Sequence, residues 1–320
     1  MLLKSVAGVL SPSGERARLS ILIFHRVLSQ PDPLFPGEPD VRRFDRIVGW
    51  IGKWFNVLPL HLALDRLQSG TLVERAVSIT FDDGYADNVT NAMPILRRHG
   101  ASATFFVSSA FLDGGSMWND HVIEAIRNCR LEQIDLKSHG LGEYALETLD
   151  HKRIAIASVL RTIKYLDPGQ RLLAVEQVVA ATKVEDRANL MMRPQQILEL
   201  KSAGMQIGAH TCTHPILQMV DDNVAQKEIC DGKQALESVL GEPVTLFAYP
   251  NGKPNVDYSA KHVAMVKDAG FVAAVSTAPG VAVAASDPYQ LPRFTPWDKE
   301  RIKFGVRMLA NLRSDGCLTA

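Results

Sequence analysis

The chain has 320 residues, 46% hydrophobic and 22% charged, an ordinary globular mixture long enough for one large domain or two small ones. Its 35 basic and 35 acidic residues cancel to a formal charge of zero. That balance leaves no electrostatic footprint for nucleic acid, and no nucleic-acid partner is expected.

The N-terminal stretch, Met1 to Leu10, is mildly apolar. It is short for the core of a signal peptide, and Ser-Pro-Ser-Gly-Glu-Arg-Ala-Arg follows it instead of a small-residue cleavage pattern. No window approaches the roughly 20 apolar residues that span a bilayer. The nearest, Gly270 to Ala285, is interrupted by Ser276, Thr277, Pro279 and Gly280. A cytoplasmic location is the expectation, with the apolar N-terminus able to rest on a membrane. Cys129, Cys212, Cys230 and Cys317 include no Cys-x-x-Cys pair, which argues for free buried thiols over a zinc ribbon or a disulfide framework.

Short apolar, β-rich runs then recur between stretches of helical periodicity. Ser20 to Phe24 reads as a buried strand. Phe44, Ile47, Val48 and Ile51 follow at the spacing of one helix face. Val77 to Phe81 is the next strand, and Met93 to Gly100 ends like a helix, with a basic last turn and a glycine. After the strand Ala103 to Val107, the stretch from Leu112 to Met192 shows no strand pattern, only helical material such as Asp150 to Tyr165 and Gln170 to Thr182. Pro194 to Gly204 repeats the glycine-ended helix. Strands at Met205 to Ala209, Val244 to Ala248 and Phe271 to Val275 complete the set.

Strands alternating with helices imply parallel pairing with right-handed crossovers. The glycine-rich fingerprint of a dinucleotide fold is missing after the first strands, which favours a closed barrel over an open doubly wound sheet. The expectation is a single α/β domain over 1–320. It comprises a barrel core at 20–295, a helical insertion at 112–192 and a C-terminal helix and tail at 298–320.

Three segments fall directly after strands, where a barrel places its active site. In Thr80-Phe-Asp-Asp-Gly-Tyr85 two carboxylates at a strand end face different ways, because side chains alternate along a strand. One can face a cation and the other a nucleophile, although Asp-Gly alone reads equally as a turn. His210-Thr-Cys-Thr-His214 offers two imidazoles at i and i+4, a spacing that reaches one ion if the segment turns helically. Phe247-Ala-Tyr-Pro-Asn-Gly252 makes a turn able to aim a backbone N–H at a developing oxyanion. Trp118-Asn-Asp-His121 reads either as a sugar-stacking face or as a helix start capped by Asn119 or Asp120. Tyr85 and Trp297 are further stacking candidates, and Cys212, between the two histidines, reads as packing.

In this order the segments resemble the polysaccharide deacetylase family, whose domain is also called the NodB homology domain and which is counted as the fourth family of carbohydrate esterases. The resemblance covers Ile21 to Phe294 and is sharpest at Thr-Phe-Asp-Asp-Gly and His-Thr-x-x-His. It implies a distorted (β/α) barrel of seven strands and a metal-dependent hydrolase removing N-acetyl groups from amino sugars of a polysaccharide or glycan precursor. A carbohydrate is then the partner, with no obligate protein partner. Asp82 becomes the general base. Asp83, His210 and His214 become ligands of a divalent ion, zinc first, with cobalt, nickel or manganese also fitting. The turn at Tyr249 to Asn251 becomes the oxyanion donor.

The pattern departs from the family in two places. Ala248 stands where many members carry an arginine that orients the base, and Leu291-Pro-Arg-Phe294 stands where many carry Leu-x-His with an acid histidine. Arg293 is therefore expected to reach back to Asp82 and replace the missing charge. His25, in Phe24-His-Arg-Val27, is the candidate general acid, with a structural histidine as its alternative. Competing functional readings are a deformylase or amidase acting on a lipid-linked or small-molecule amide, and an inactive carbohydrate-binding protein.

Overall fold

The computed structural model describes residues 2–185, 189–295, 298–314 and 318–320. Trp297 and Cys317 lie outside them. Among the described residues nine strands run in chain order: β1 (Ser20–Phe24), β2 (Asn56–Val57), β3 (Ala76–Phe81), β4 (Thr104–Val107), β5 (Gln133–Asp135), β6 (Glu143–Ala145), β7 (Gln206–Ala209), β8 (Leu246–Ala248) and β9 (Ala273–Val275). The helices are α1 (Leu2–Leu10), α2 (Val41–Trp54), α3 (Leu60–Gln68), α4 (Met93–Arg98), α5 (Trp118–Asn128), α6 (Leu149–Ile163), α7 (Pro168–Thr182), α8 (Pro194–Ser202), α9 (Asp222–Leu240), α10 (Ala260–Asp268) and α11 (Arg301–Leu312).

Seven strands form one curled parallel sheet in the order β1-β3-β4-β7-β8-β9, with β2 pairing to the start of β3. The gap between β9 and β1 is bridged by the segment Leu291–Phe294. Leu291 exchanges backbone hydrogen bonds with β9, through Ala274 and Ser276, and Phe294 does so with β1, through Ile21 and Ile23. The distorted (β/α) barrel is thus closed by the stretch that carries Arg293.

The pleat sorts the side chains. Leu22, Phe24, Phe81, Phe105 and Phe247 join the large core beneath the outer helices. Ile21, Phe106, Leu246, Ala248 and Val275 join a second core against α3 (Leu60, Ala63, Leu64, Leu67). That core also takes Leu19 and Ala76 at the strand starts, so α3 plugs the N-terminal end and leaves the C-terminal ends free for a site. In α2, Phe44, Ile47, Val48 and Ile51 are buried, the face read from their spacing, and Asp40 caps the helix by accepting from the Arg43 N–H.

Three strands escaped the sequence reading. β2 is only two residues long. β5 and β6 form an antiparallel hairpin inside the stretch expected to be purely helical. They were missed because three-residue strands carry too few residues to establish a period. The hairpin packs with α5, α6 and α7 around a core of their own, in which Val122, Ile126, Val159 and Val178 are fully buried. Cys129 is buried, whereas Cys212 and Cys230 are only partly so, which corrects the reading of uniformly buried thiols; all three are free. Among the described residues no helix is long and apolar enough to cross a membrane.

Candidate metal centre and its carboxylate base

The chain leaves β3 at Phe81 and turns sharply. The Gly84 N–H donates to the Asp82 carbonyl across Asp83, whose φ is +77°. That two-residue reversal in the left-handed region is strained for a non-glycine residue and is held by its surroundings. Gly84 follows at φ +96°, where a Cβ would meet Val107 Cγ1 at 2.9 Å, so glycine is required there. The consequence is that the adjacent carboxylates separate. Asp82 faces the barrel interior, and Asp83 faces the histidines.

Asp82 meets Arg293 in a two-point ion pair, with both contacts at 2.7 Å. Arg293 is further fixed by donating Nε–H to the Ser276 carbonyl at 2.8 Å and Nη1–H to Thr80 Oγ1 at 3.3 Å. Its side chain has no exposure and Asp82 only 3%, so the pair lies out of water. Burial pushes the Asp82 carboxyl up, but the Arg293 and His210 charges outweigh it and hold the group below the ordinary carboxylate range.

Asp83, His210 and His214 bring their ligand atoms within 4.8 Å of one another. Asp83 Oδ1 lies 3.5 Å from His210 Nε2 and 3.4 Å from His214 Nε2. His210 donates Nδ1–H to the Ala248 carbonyl at 2.7 Å, which turns the Nε2 lone pair toward Asp83. The residue standing at the missing arginine thus supplies the backbone group that fixes a histidine tautomer. Two imidazole nitrogens and one carboxylate suit a zinc-class divalent ion with positions left for water and substrate. The buried His214 Nδ1 has no partner among the described residues. Burial and the neighbouring His210 push the His214 pKa down to about 4, so it is neutral and able to ligate near pH 7. Burial depresses His210 as well, but the Asp82 and Asp83 carboxylates prevail and raise it.

The histidine loop is strained and braced. Thr211 and His214 have φ of +63° and +56°. Glu228 on α9 accepts from the Cys212 and Thr213 N–H groups and from the Thr213 hydroxyl. Gly232, one turn further along α9, packs so closely that a Cβ there would lie 2.6 Å from the Thr211 carbonyl carbon. Sequence reading missed both residues. Glycine and glutamate inside a helical run were the available signals, and neither names its partner.

These groups floor a cavity of about 430 Å³, also lined by His25, Met117, Trp118, Asn119, Leu160, Arg161, Lys164 and Asn251. His25 is exposed at its rim. Trp118 opens α5, as the helix-start reading expected. The helix is capped at Met117, whose N–H is accepted by Asp120, which also accepts the Tyr85 hydroxyl, and Asn119 does not cap it. The Arg171 guanidinium covers the Trp118 ring at 4.9 Å. Tyr85 is buried beneath the Arg26 guanidinium rather than in the cavity wall. Tyr249 does not face the cavity either. It stacks on Tyr258 at 3.8 Å, its hydroxyl donates to the Tyr289 carbonyl and its N–H to Val275. Pro250 has no N–H, so Asn251, at φ +59°, is the remaining donor candidate of that turn. Arg161 and Lys164 reach the cavity from the insertion, a contribution no sequence motif announced.

The family model described as polysaccharide deacetylase matches residues 69–274. The curated Bacillus subtilis (strain 168) protein YxkH, whose name carries the same family, is 21% identical over 279 residues, covering 87% of this chain and 71% of its own. Among solved structures, the Streptococcus pyogenes deacetylase PplD in complex with acetate matches with a TM-score of 0.59 at 20% identity, covering 87% of this chain and 92% of that one. IcaB from Ammonifex degensii matches with a TM-score of 0.58 at 16% identity, covering 95% and 99%. At these identities the structural matches speak to the shared barrel fold.

Proposed function

The chain belongs to the polysaccharide deacetylase family, and from that premise we propose that it hydrolyses the N-acetyl group of an amino sugar within a glycan, with a divalent cation held by Asp83, His210 and His214. One observation carries the reading: the Arg293-clamped carboxylate of Asp82 and the three-ligand cluster lie side by side on the floor of one cavity, with His210 Nε2 4.0 Å from Asp82 Oδ2. A relic kept only for binding needs no buried base beside a ligand set.

A bound ion of this class polarises an acetyl carbonyl and lowers the pKa of water toward about 7. The chain supplies the rest. Asp82, kept ionised by Arg293, accepts the proton of the water that attacks the acetyl carbon. Its two oxygens are held from behind, so it cannot rotate away from that water. The Asn251 N–H is the donor offered to the oxygen on which negative charge develops. As the C–N bond breaks, the sugar nitrogen takes a proton from His25 at the rim, and acetate and a free amine leave. Trp118 offers its indole as a platform for a sugar ring.

The test is acetate release from N-acetylglucosamine oligomers by the chelated chain before and after zinc is restored. Release that returns with zinc supports the reading, and a chain equally active after exhaustive chelation contradicts it. A His25→Ala variant with full activity and an unchanged pH profile would remove His25 from the mechanism.

A further inference from the structure

Resting on that reading, we infer that the substrate is an anionic glycan, whose phosphate or carboxylate group beside the reacting sugar is held by Arg161 and Lys164. Both residues sit at the C-terminal end of α6 and line the same cavity as Asp82 and His210. Neither forms an ion pair with a carboxylate among the described residues. The Lys164 ammonium lies 5.2 Å over the Tyr165 ring, and the residue is half-buried. Burial, together with repulsion from Lys253, pushes its pKa down, and Asp257 offsets only part of this. Asp257 is itself engaged, accepting the Lys253 N–H at 2.9 Å and the Tyr165 hydroxyl at 3.3 Å. The cavity therefore has one wall with two cations that hold no ion pair among the described residues, in a chain whose net charge is zero.

The neighbouring cavity, of about 280 Å³, shows the opposite balance. Its cations are matched, Arg26 to Asp87 at 2.8 Å and Arg127 to Asp32 at 2.7 Å. Its carboxylates Glu38 and Asp120 form no ion pair among the described residues. An anionic substituent is thus repelled from one side of the reacting centre and attracted to the other, which fixes the direction in which a glycan lies. Leu160 and Trp118 give the same wall an apolar face on which a ring can rest.

Basic residues at a helix C-terminus also complement its dipole. A role confined to that would alter stability and leave substrate choice unchanged, so discrimination is the readout. Three probes are compared on the full chain: N-acetylglucosamine trisaccharide, which is neutral; N-acetylglucosamine 1-phosphate; and an oligosaccharide alternating N-acetylglucosamine with glucuronate. Dissociation constants by calorimetry and acetate release are measured for the wild type and the R161A/K164A double variant. The expected result is that at least one anionic probe binds about tenfold more tightly than the neutral one at low salt. The double variant loses that preference while its affinity for the neutral probe stays within about twofold. Whether the phosphate or the uronate probe shows the effect identifies the group. Equal affinities across the probes, no binding of any, or a preference that survives in the double variant would overturn the inference. Absence of turnover despite discriminating binding would count against the deacetylase reading and leave the anionic preference standing.

Discussion

Arg293 and Asp82, 211 positions apart, meet in a buried two-point ion pair with both contacts at 2.7 Å. The arginine lies on the segment that closes the barrel between β9 and β1, so closure of the fold and alignment of the candidate base are one event. Breaking such a pair strands an uncompensated charge. Arg293→Ala is expected to lose about 3–5 kcal/mol of stability by denaturant unfolding. Arg293→Lys keeps the charge without the two-point grip and is expected to fold while losing turnover. Because the folded Asp82 pKa is depressed, the pair's stability is present above the ordinary carboxylate pKa of about 4 and is lost as pH falls through the folded value. The difference between wild type and Arg293→Ala should therefore shrink in acid.

Gly232 has a different role. A Gly232→Ala side chain would press on the Thr211 backbone at 2.6 Å and displace the loop carrying His210 and His214. The expected outcome is weaker zinc binding, by tenfold or more, with every ligand intact. Gly241→Ala is the control. Its φ is +67° and no atom lies near the added carbon, so it should cost about 1–2 kcal/mol of stability and leave zinc affinity unchanged.

Asp120 carries a pH signature of the opposite sign. Burial pushes its carboxyl up to about 6 despite bonds from the Met117 N–H and the Tyr85 hydroxyl. A group with a raised folded pKa contributes stability that is fully present below its unfolded pKa of about 4 and lost as pH rises through the folded value. Between pH 4 and about 6 the wild type should lose on the order of 2–3 kcal/mol on this account, and Asp120→Asn should not. Parallel pH–stability curves for the two proteins would contradict the assignment.

A cation bound to the folded state alone must raise its stability. Zinc at a hundred times its dissociation constant is expected to add about 2.7 kcal/mol. Asp83→Ala should abolish that increment. An increment unaltered by Asp83→Ala would place the ion elsewhere.

Much of this architecture was legible in the chain because its signals are local. The six strands from Ser20 to Val275, the α2 face and the Asp82–Asp83 and His210–His214 pairs each lie within a few consecutive residues. The Arg293–Asp82 contact was expected from the family resemblance, in which Ala248 stands where many members carry the arginine that orients the base. The unread parts are those in which long-range packing decides. Tyr249 stood in a motif, yet its ring is taken into the core by Tyr258. Gly232 and Glu228 meet the histidine loop, and Arg161 and Lys164 the cavity, only when α9 and α6 dock, and no periodicity encodes a docking partner. The β5–β6 hairpin is too short to display its period.

The most direct test compares acetate release from N-acetylglucosamine oligomers by the zinc-loaded wild type and Asp82→Asn at matched metal content and helicity. The account predicts release by the wild type and a loss of about a hundredfold to ten-thousandfold in the variant. Release undiminished in Asp82→Asn, or none from a wild type holding one equivalent of zinc, would contradict it.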